Sequence, residues 1–145
     1  MFTPSQNDVR TFFCASWRKQ NNGEVLTPME AMAADWIIEH PEYHADLTDQ
    51  QAALAAVYEV ETGRTNPFLH LSMHLSISEQ VAIDQPRGIK QACELLRAHL
   101  GSVHEAQHEV MECLGEMVWE SQRSGQPPDG ERYIACVRSR ATRRV

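Results

Sequence analysis

Apolar residues along this chain recur at intervals of three and four and are punctuated by caps, glycines and prolines, the pattern of a helical protein. Val9, Phe12, Phe13, Ala15 and Trp17 define a first helix, capped by Ser5 or Asn7 and ending near Asn22-Gly23. Thr27-Pro28-Met29-Glu30 supplies a capping box with proline at the first helical position, opening a second helix through Met32, Ala33, Trp36 and Ile37. His40-Pro41 stops it, because the residue before proline is driven out of the helical region. Thr48-Asp49-Gln50-Gln51 starts a third, alanine-rich helix to about Val57, and the Gly63-containing stretch from Glu59 to Asn66 is a loop.

Asn66-Pro67 opens a fourth helix to about Ile83, Asp84 to Gly88 is a turn, and a fifth helix runs to Leu100 and stops at Gly101. Ser102-Val103-His104-Glu105 is a second capping box, starting the longest, sixth helix, which runs to about Gln122. After Ser124-Gly125-Gln126-Pro127-Pro128, Asp129 caps a last helix to about Arg140. No stretch alternates with a period of two, and no repeat or linker divides the chain. The expected fold is all-α: one domain spanning 1–145, six to seven helices in an orthogonal or bundle-like arrangement, with a frayed basic tail over 141–145.

A length of 145 residues suffices for one continuous core, and the 42% apolar and 23% charged shares are those of a globular protein. The net charge of -7 disfavours nucleic acid as a partner, since phosphate binding rests on Lys and Arg. Arg132, Arg138, Arg140, Arg143 and Arg144 gather at the end of the chain, where they suit the dipole of a helix C-terminus. The N-terminal residues lack a basic start and an apolar run, so no signal peptide is expected, and no stretch approaches the ~20 apolar residues that span a bilayer. Cys14, Cys93, Cys113 and Cys136 are widely spaced and read as reduced, packed thiols, which places the chain in the cytoplasm.

Histidine is what changes the picture. His40/His44, His70/His74 and His104/His108 are spaced four apart, and random placement of seven histidines would give roughly 0.3 such pairs. Pro41 interrupts the first pair, so His40, His44 and also His99 are assigned surface or structural roles. The other two pairs sit in unbroken helical patterns, where residues four apart point the same way. His104 and His108 align with the apolar positions Val103, Met111, Leu114, Gly115 and Val118, and His70 and His74 with Ile77 and Val81. Glu112 lies one turn after His108, on the border of the same stripe. Glu105, Glu109, Glu116 and Glu120 occupy the opposite face.

Two inward pairs on two helices make a metal cage, and imidazole nitrogens suit zinc, iron, nickel or copper. The expectation is one transition metal, zinc or iron first, between the fourth and sixth helices. Its ligands would be His70, His74, His104 and His108, with Glu112 as fifth ligand or outer partner. No organic cofactor is indicated.

Whether the chain is an enzyme is open at this point. His104-Glu105-Ala106-Gln107-His108 spells the zinc-peptidase motif H-E-x-x-H, but Met111 and Leu114 stand where its extended form needs Gly and His. A di-iron site would need Glu-x-x-His on two helices, and only Glu105 to His108 fits. No nucleophile elbow or phosphate-binding glycine loop is present, and no cysteine shares the histidine face. The alternative is a metal-free interaction module or homo-oligomer, drawing on Trp17, Trp36, Trp119 and the acidic face of the sixth helix.

The run Asn66-Pro67-Phe68-Leu69-His70-Leu71-Ser72-Met73-His74-Leu75, with His104-Glu105-Ala106-Gln107-His108 and Met111-Glu112-Cys113-Leu114, resembles a family of uncharacterised bacterial proteins, domain of unknown function 1841. Val9 to Lys19, Leu26 to Glu42 and Pro127-Pro128-Asp129 fit as well, so the likeness extends over nearly the whole chain. The resemblance implies a small cytoplasmic protein and carries no assigned activity or catalytic residue.

Overall fold

Residues 5–58 and 65–143 are described by a computed structural model of the chain, and among them lie eight α-helices and no strand. The expected loop from Glu59 falls largely outside the described residues, as do Arg144 and Val145. Helix α1 (Gln6–Asn22) begins at Ser5, whose hydroxyl accepts the Asp8 N–H at 3.0 Å while the Asp8 carboxylate accepts the Ser5 N–H. It ends at Gly23, which takes the left-handed φ of 69° that a side chain would resist. Helix α2 (Pro28–Ile38) opens on the reciprocal Thr27–Glu30 box with Pro28 in its first turn.

The stretch after Pro41 differs from expectation. A 3-10 turn over Pro41–Tyr43 leads directly into α3 (His44–Thr48), and only then does α4 (Gln50–Ala55) form. The expected single helix from Thr48 to Val57 is split because Asp49 is extended (φ -112°) and turns its carboxylate onto the N–H groups of Gln51 and Ala52, restarting the helix. Helix α4 ends at Ala55, where Ala56 turns extended, and the Arg10 guanidinium donates from Nη1 to Ala53 O and Ala56 O, both at 2.8 Å. Arg10 is buried and lies over the rings of Tyr58 and Phe68.

Helix α5 (Pro67–Ile83) is capped by Asn66, whose side-chain oxygen accepts from Phe68 and Leu69. The Asp84 carboxylate then accepts the N–H groups of Gly88 and Lys90 and sets the turn into α6 (Ile89–Leu100). Ser102 caps α7 (Val103–Ser124), and Asp129 caps α8 (Gly130–Thr142), which runs two residues beyond its expected end.

Two compact units divide at Leu75 and Ser76. In the first, Phe13, Cys14, Ala33, Trp36, Ile37, Leu47, Ala53, Phe68 and Leu71 make the core, flanked by Val9, Phe12, Trp17 and Tyr43. In the second, α6, α7 and α8 pack on one another around Ile89, Leu96, Val110, Leu114, Tyr133 and Val137. The Tyr133 hydroxyl donates to Gln80 Oε1 at 2.6 Å, and Gln107 Nε2 donates to Ser78 Oγ, so α8 and α7 are both fastened to the end of α5.

Two expectations are corrected here. The buried face of α7 is Ala106, Val110, Met111, Cys113 and Leu114, whereas Val103 and Val118 are 51% and 41% exposed. Alternation of polar and apolar residues gives a face, but α7 packs against two helices and its buried arc is rotated toward both. Cys113 and Cys136 are joined in a disulfide linking α7 to α8, with Cα atoms 5.8 Å apart, while Cys14 and Cys93 are free. That Cα separation is within bridging range. A spacing of 23 residues crosses a helix-to-helix turn, so nothing in the sequence revealed the pairing. Two of the four cysteines expected as reduced thiols are therefore oxidised.

Candidate metal centre

His40 is thrown off the end of α2 by the proline that follows it. Its backbone has left the helical region (φ -125°, ψ 66°), and its ring, 3% exposed, is buried rather than at the surface. Nδ1 lies 2.8 Å from Glu42 Oε2 and Nε2 lies 3.0 Å from His74 Nε2. A carboxylate accepts, so Nδ1–H donates to Glu42, and Nε2 is the ring nitrogen turned toward His74. The hydrogen bond from His40 holds the Glu42 carboxyl below its ordinary range.

His74, on α5, is wholly buried and stacks on Trp36 with centroids 3.9 Å apart and planes within 10°. His70, one turn earlier, meets the rings of His40 and His74 edge-on at 4.7 and 4.8 Å, and Tyr43 at 5.8 Å. Burial pushes the Tyr43 hydroxyl above its ordinary value. His44 takes no part in this group: its Nε2–H donates to Ile37 O at 2.8 Å and its ring packs on Trp17. His99 is exposed in the last turn of α6.

On α7, His104 and His108 are partly buried with ring centroids 4.4 Å apart, the contact expected of neighbours one turn apart. Gln107, next to His108, donates from Nε2 to Ser78 Oγ. His40, His74, His104 and His108 each offer a ring nitrogen, and these atoms lie within 4.8 Å of one another. Four histidines so disposed could hold a metal ion.

Of the five residues expected as ligands, His74, His104 and His108 belong to this group. His70 is beside it as a ring neighbour. Glu112 points elsewhere: its side chain is 64% exposed and accepts a hydrogen bond from Arg140, which also binds Glu109. The Arg140 hydrogen bond draws the Glu109 carboxyl below its usual range. Glu105, the glutamate of the H-E-x-x-H run, is exposed at the start of α7. His40 was missed because Pro41 removes it from any regular helix. The signal that could have found it is the same proline, which ends α2 and turns the preceding side chain away from the helix axis.

The donor set speaks for a particular class of ion. Neutral imidazoles suit zinc, iron, nickel or copper, whereas magnesium and calcium require oxygen. Two nitrogens bound at about 2.0–2.1 Å to one tetrahedral zinc sit roughly 3.3 Å apart, and the His40 and His74 Nε2 atoms are 3.0 Å apart. Among the described residues no helix is long and apolar enough to cross a membrane.

No curated protein and no solved structure gives a significant match. Residues 5–139, nearly the whole chain, match the family described as Domain of unknown function (DUF1841), and the chain belongs to that family.

Proposed function

We propose that this protein binds one transition metal ion, zinc or iron, through His40, His74, His104 and His108. The observation that carries the reading is the set of four imidazoles whose ring nitrogens lie within 4.8 Å of one another. Support comes from His40, whose Nδ1 is engaged by Glu42 while Nε2 faces His74, an arrangement typical of metal-bound histidines. Further support comes from Trp36, which fixes the plane of the His74 ring. Relative to the expected ligand set, His40 takes the place of His70, and Glu112 is left to its ion pair. Four protein ligands close a tetrahedral shell, so the ion's main contribution is to structure, adding its binding energy to folding.

The test is elemental analysis of tag-free protein purified without chelator. About one zinc or iron per chain is expected, falling to background in the His108→Ala variant. A folded protein that purifies without metal and gains no thermal stability on adding zinc or ferrous ion refutes the reading.

A second reading, a metal-free interaction module or homo-oligomer, is favoured by Trp119, which is 62% exposed, lies on α7 and has the Arg123 guanidinium over its ring. Of the three tryptophans it alone matches an exposed contact residue, since Trp36 is buried in the core and Trp17 packs against it. Oligomers that persist in chelator and dissociate in Trp119→Ala would favour this reading.

A further inference from the structure

We infer that the Cys113–Cys136 disulfide is a reducible latch on α7, opened at Cys136 by a dithiol reductant, and that its state sets how firmly α7 presents His104 and His108. The inference rests on the metal reading above. It starts from an asymmetry between the two sulfurs. Cys113 is 1% exposed, whereas Cys136 is partly exposed, and the bond borders a groove of about 780 Å³ along α7 and α8, with Trp119 and Pro127 on its walls. Thiol–disulfide exchange requires an attacking sulfur to reach one sulfur of the bond, and access selects which. Both cysteines line the groove, and Cys136 is the more exposed of the two, so an entering thiol meets Cys136 first.

The thiolate of the reductant forms a bond to Cys136 Sγ as the Sγ–Sγ bond breaks, and the electron pair leaves on Cys113 Sγ, which takes a proton from water. The second thiol of the reductant attacks its own sulfur in the mixed disulfide and releases Cys136 as a thiolate, which is protonated in turn. The reductant ends as a disulfide, having lost two electrons and two protons, and the protein has gained two thiols.

The position of the bond supplies the consequence. Cys113 lies five residues after His108 on the same helix. Helix α8 grips this stretch of α7 covalently at Cys113 and ionically through Arg140 to Glu109 and Glu112 and Arg143 to Glu109. Opening the disulfide removes the one covalent tie and leaves α7 held by its apolar packing on α6 and α8 and by ionic contacts that are partly exposed, screened by salt and individually weak. A ligand pair on a less constrained helix must be ordered when the ion binds, and that ordering weakens affinity.

Two measurements test this. In the Cys113→Ala variant, Cys136 is expected to react rapidly with iodoacetamide in the folded protein, whereas in Cys136→Ala, Cys113 reacts only on unfolding; equal labelling of the two overturns entry at Cys136. Zinc affinity is then compared between oxidised protein and the Cys113→Ala/Cys136→Ala variant, since free thiols would themselves bind zinc. About tenfold weaker binding at unchanged helix content is expected, in the range seen when a ligand loses its support. Equal affinity overturns the latch and leaves the metal reading standing. Zinc binding by neither protein overturns the metal reading and the latch with it. Loss of zinc together with loss of helicity also overturns the latch, which acts on a folded chain.

Discussion

Glu42 sits 2.8 Å from Nδ1 of His40, and this contact decides which nitrogen His40 turns toward His74. The 3-10 turn that begins at Pro41 brings the carboxylate back to a ring only two residues earlier. If Glu42 positions a metal ligand, Glu42→Ala should weaken zinc binding by about tenfold, the effect typical of losing the partner behind a coordinating histidine. Glu42→Gln keeps a hydrogen-bond acceptor and should stay within a few-fold of the parent. Competition with a chromophoric chelator reads both constants. Equal affinities in all three proteins would show that Glu42 is no more than a surface partner.

His40 and His70 compete for one role, and single substitutions separate them. His40 belongs to the four-nitrogen group, and His70 only touches its rings edge-on. His40→Ala should therefore lose stoichiometric metal, while His70→Ala should retain about one ion per chain with at most a modest loss of affinity. Elemental analysis of the two purified variants reads the outcome. The reverse result would restore the ligand set expected from helical spacing alone.

The comparison shows what periodicity can and cannot supply. Spacing of four on an unbroken helix puts the rings of His104 and His108 side by side, because helix geometry alone fixes those directions, and His74 falls in one group with them. Likewise Ser5, Thr27, Asn66, Ser102 and Asp129 all act as caps, since capping depends on residues within one turn. His40 was missed because its direction is set at a break, marked in the sequence by Pro41, where local backbone torsions and packing decide it. The Cys113–Cys136 bond, the Arg140 grip on Glu109 and Glu112, and the Arg10 cap on α4 were invisible for a related reason: each joins residues at least 20 positions apart, and periodicity gives faces but not neighbours.

Arg10 reads in sequence as a polar interruption between Val9 and Phe12, yet it is 3% exposed. Its guanidinium satisfies the buried Ala53 carbonyl and the partly buried Ala56 carbonyl at the end of α4. Arg10→Ala removes both bonds and the packing over Tyr58 and Phe68, so a loss of about 2–4 kcal/mol is expected from urea unfolding. Arg10→Lys should recover only part of it, because one ammonium lacks the planar fork and the broad face of the guanidinium. A midpoint within error of the parent for Arg10→Ala would mean that water replaces the guanidinium at no cost.

The Lys19–Glu30 pair, 2.8 Å apart, ties α1 to the first turn of α2 and gives stability a defined pH dependence. The Lys19 hydrogen bond, with the Thr27 N–H, holds the Glu30 carboxyl below its ordinary value of 4.5. The unfolded chain therefore binds a proton here before the folded chain does, so stability rises with pH across the interval between the two values. The contribution is fully present above 4.5 and disappears as pH falls through the lowered folded value. Thermal melts from pH 6 down to 3 should show Lys19→Met losing less stability over the acid range than the parent, and starting from a slightly lower melting temperature. Parallel curves for the two proteins would mean that the pair is too well solvated to couple protonation to folding.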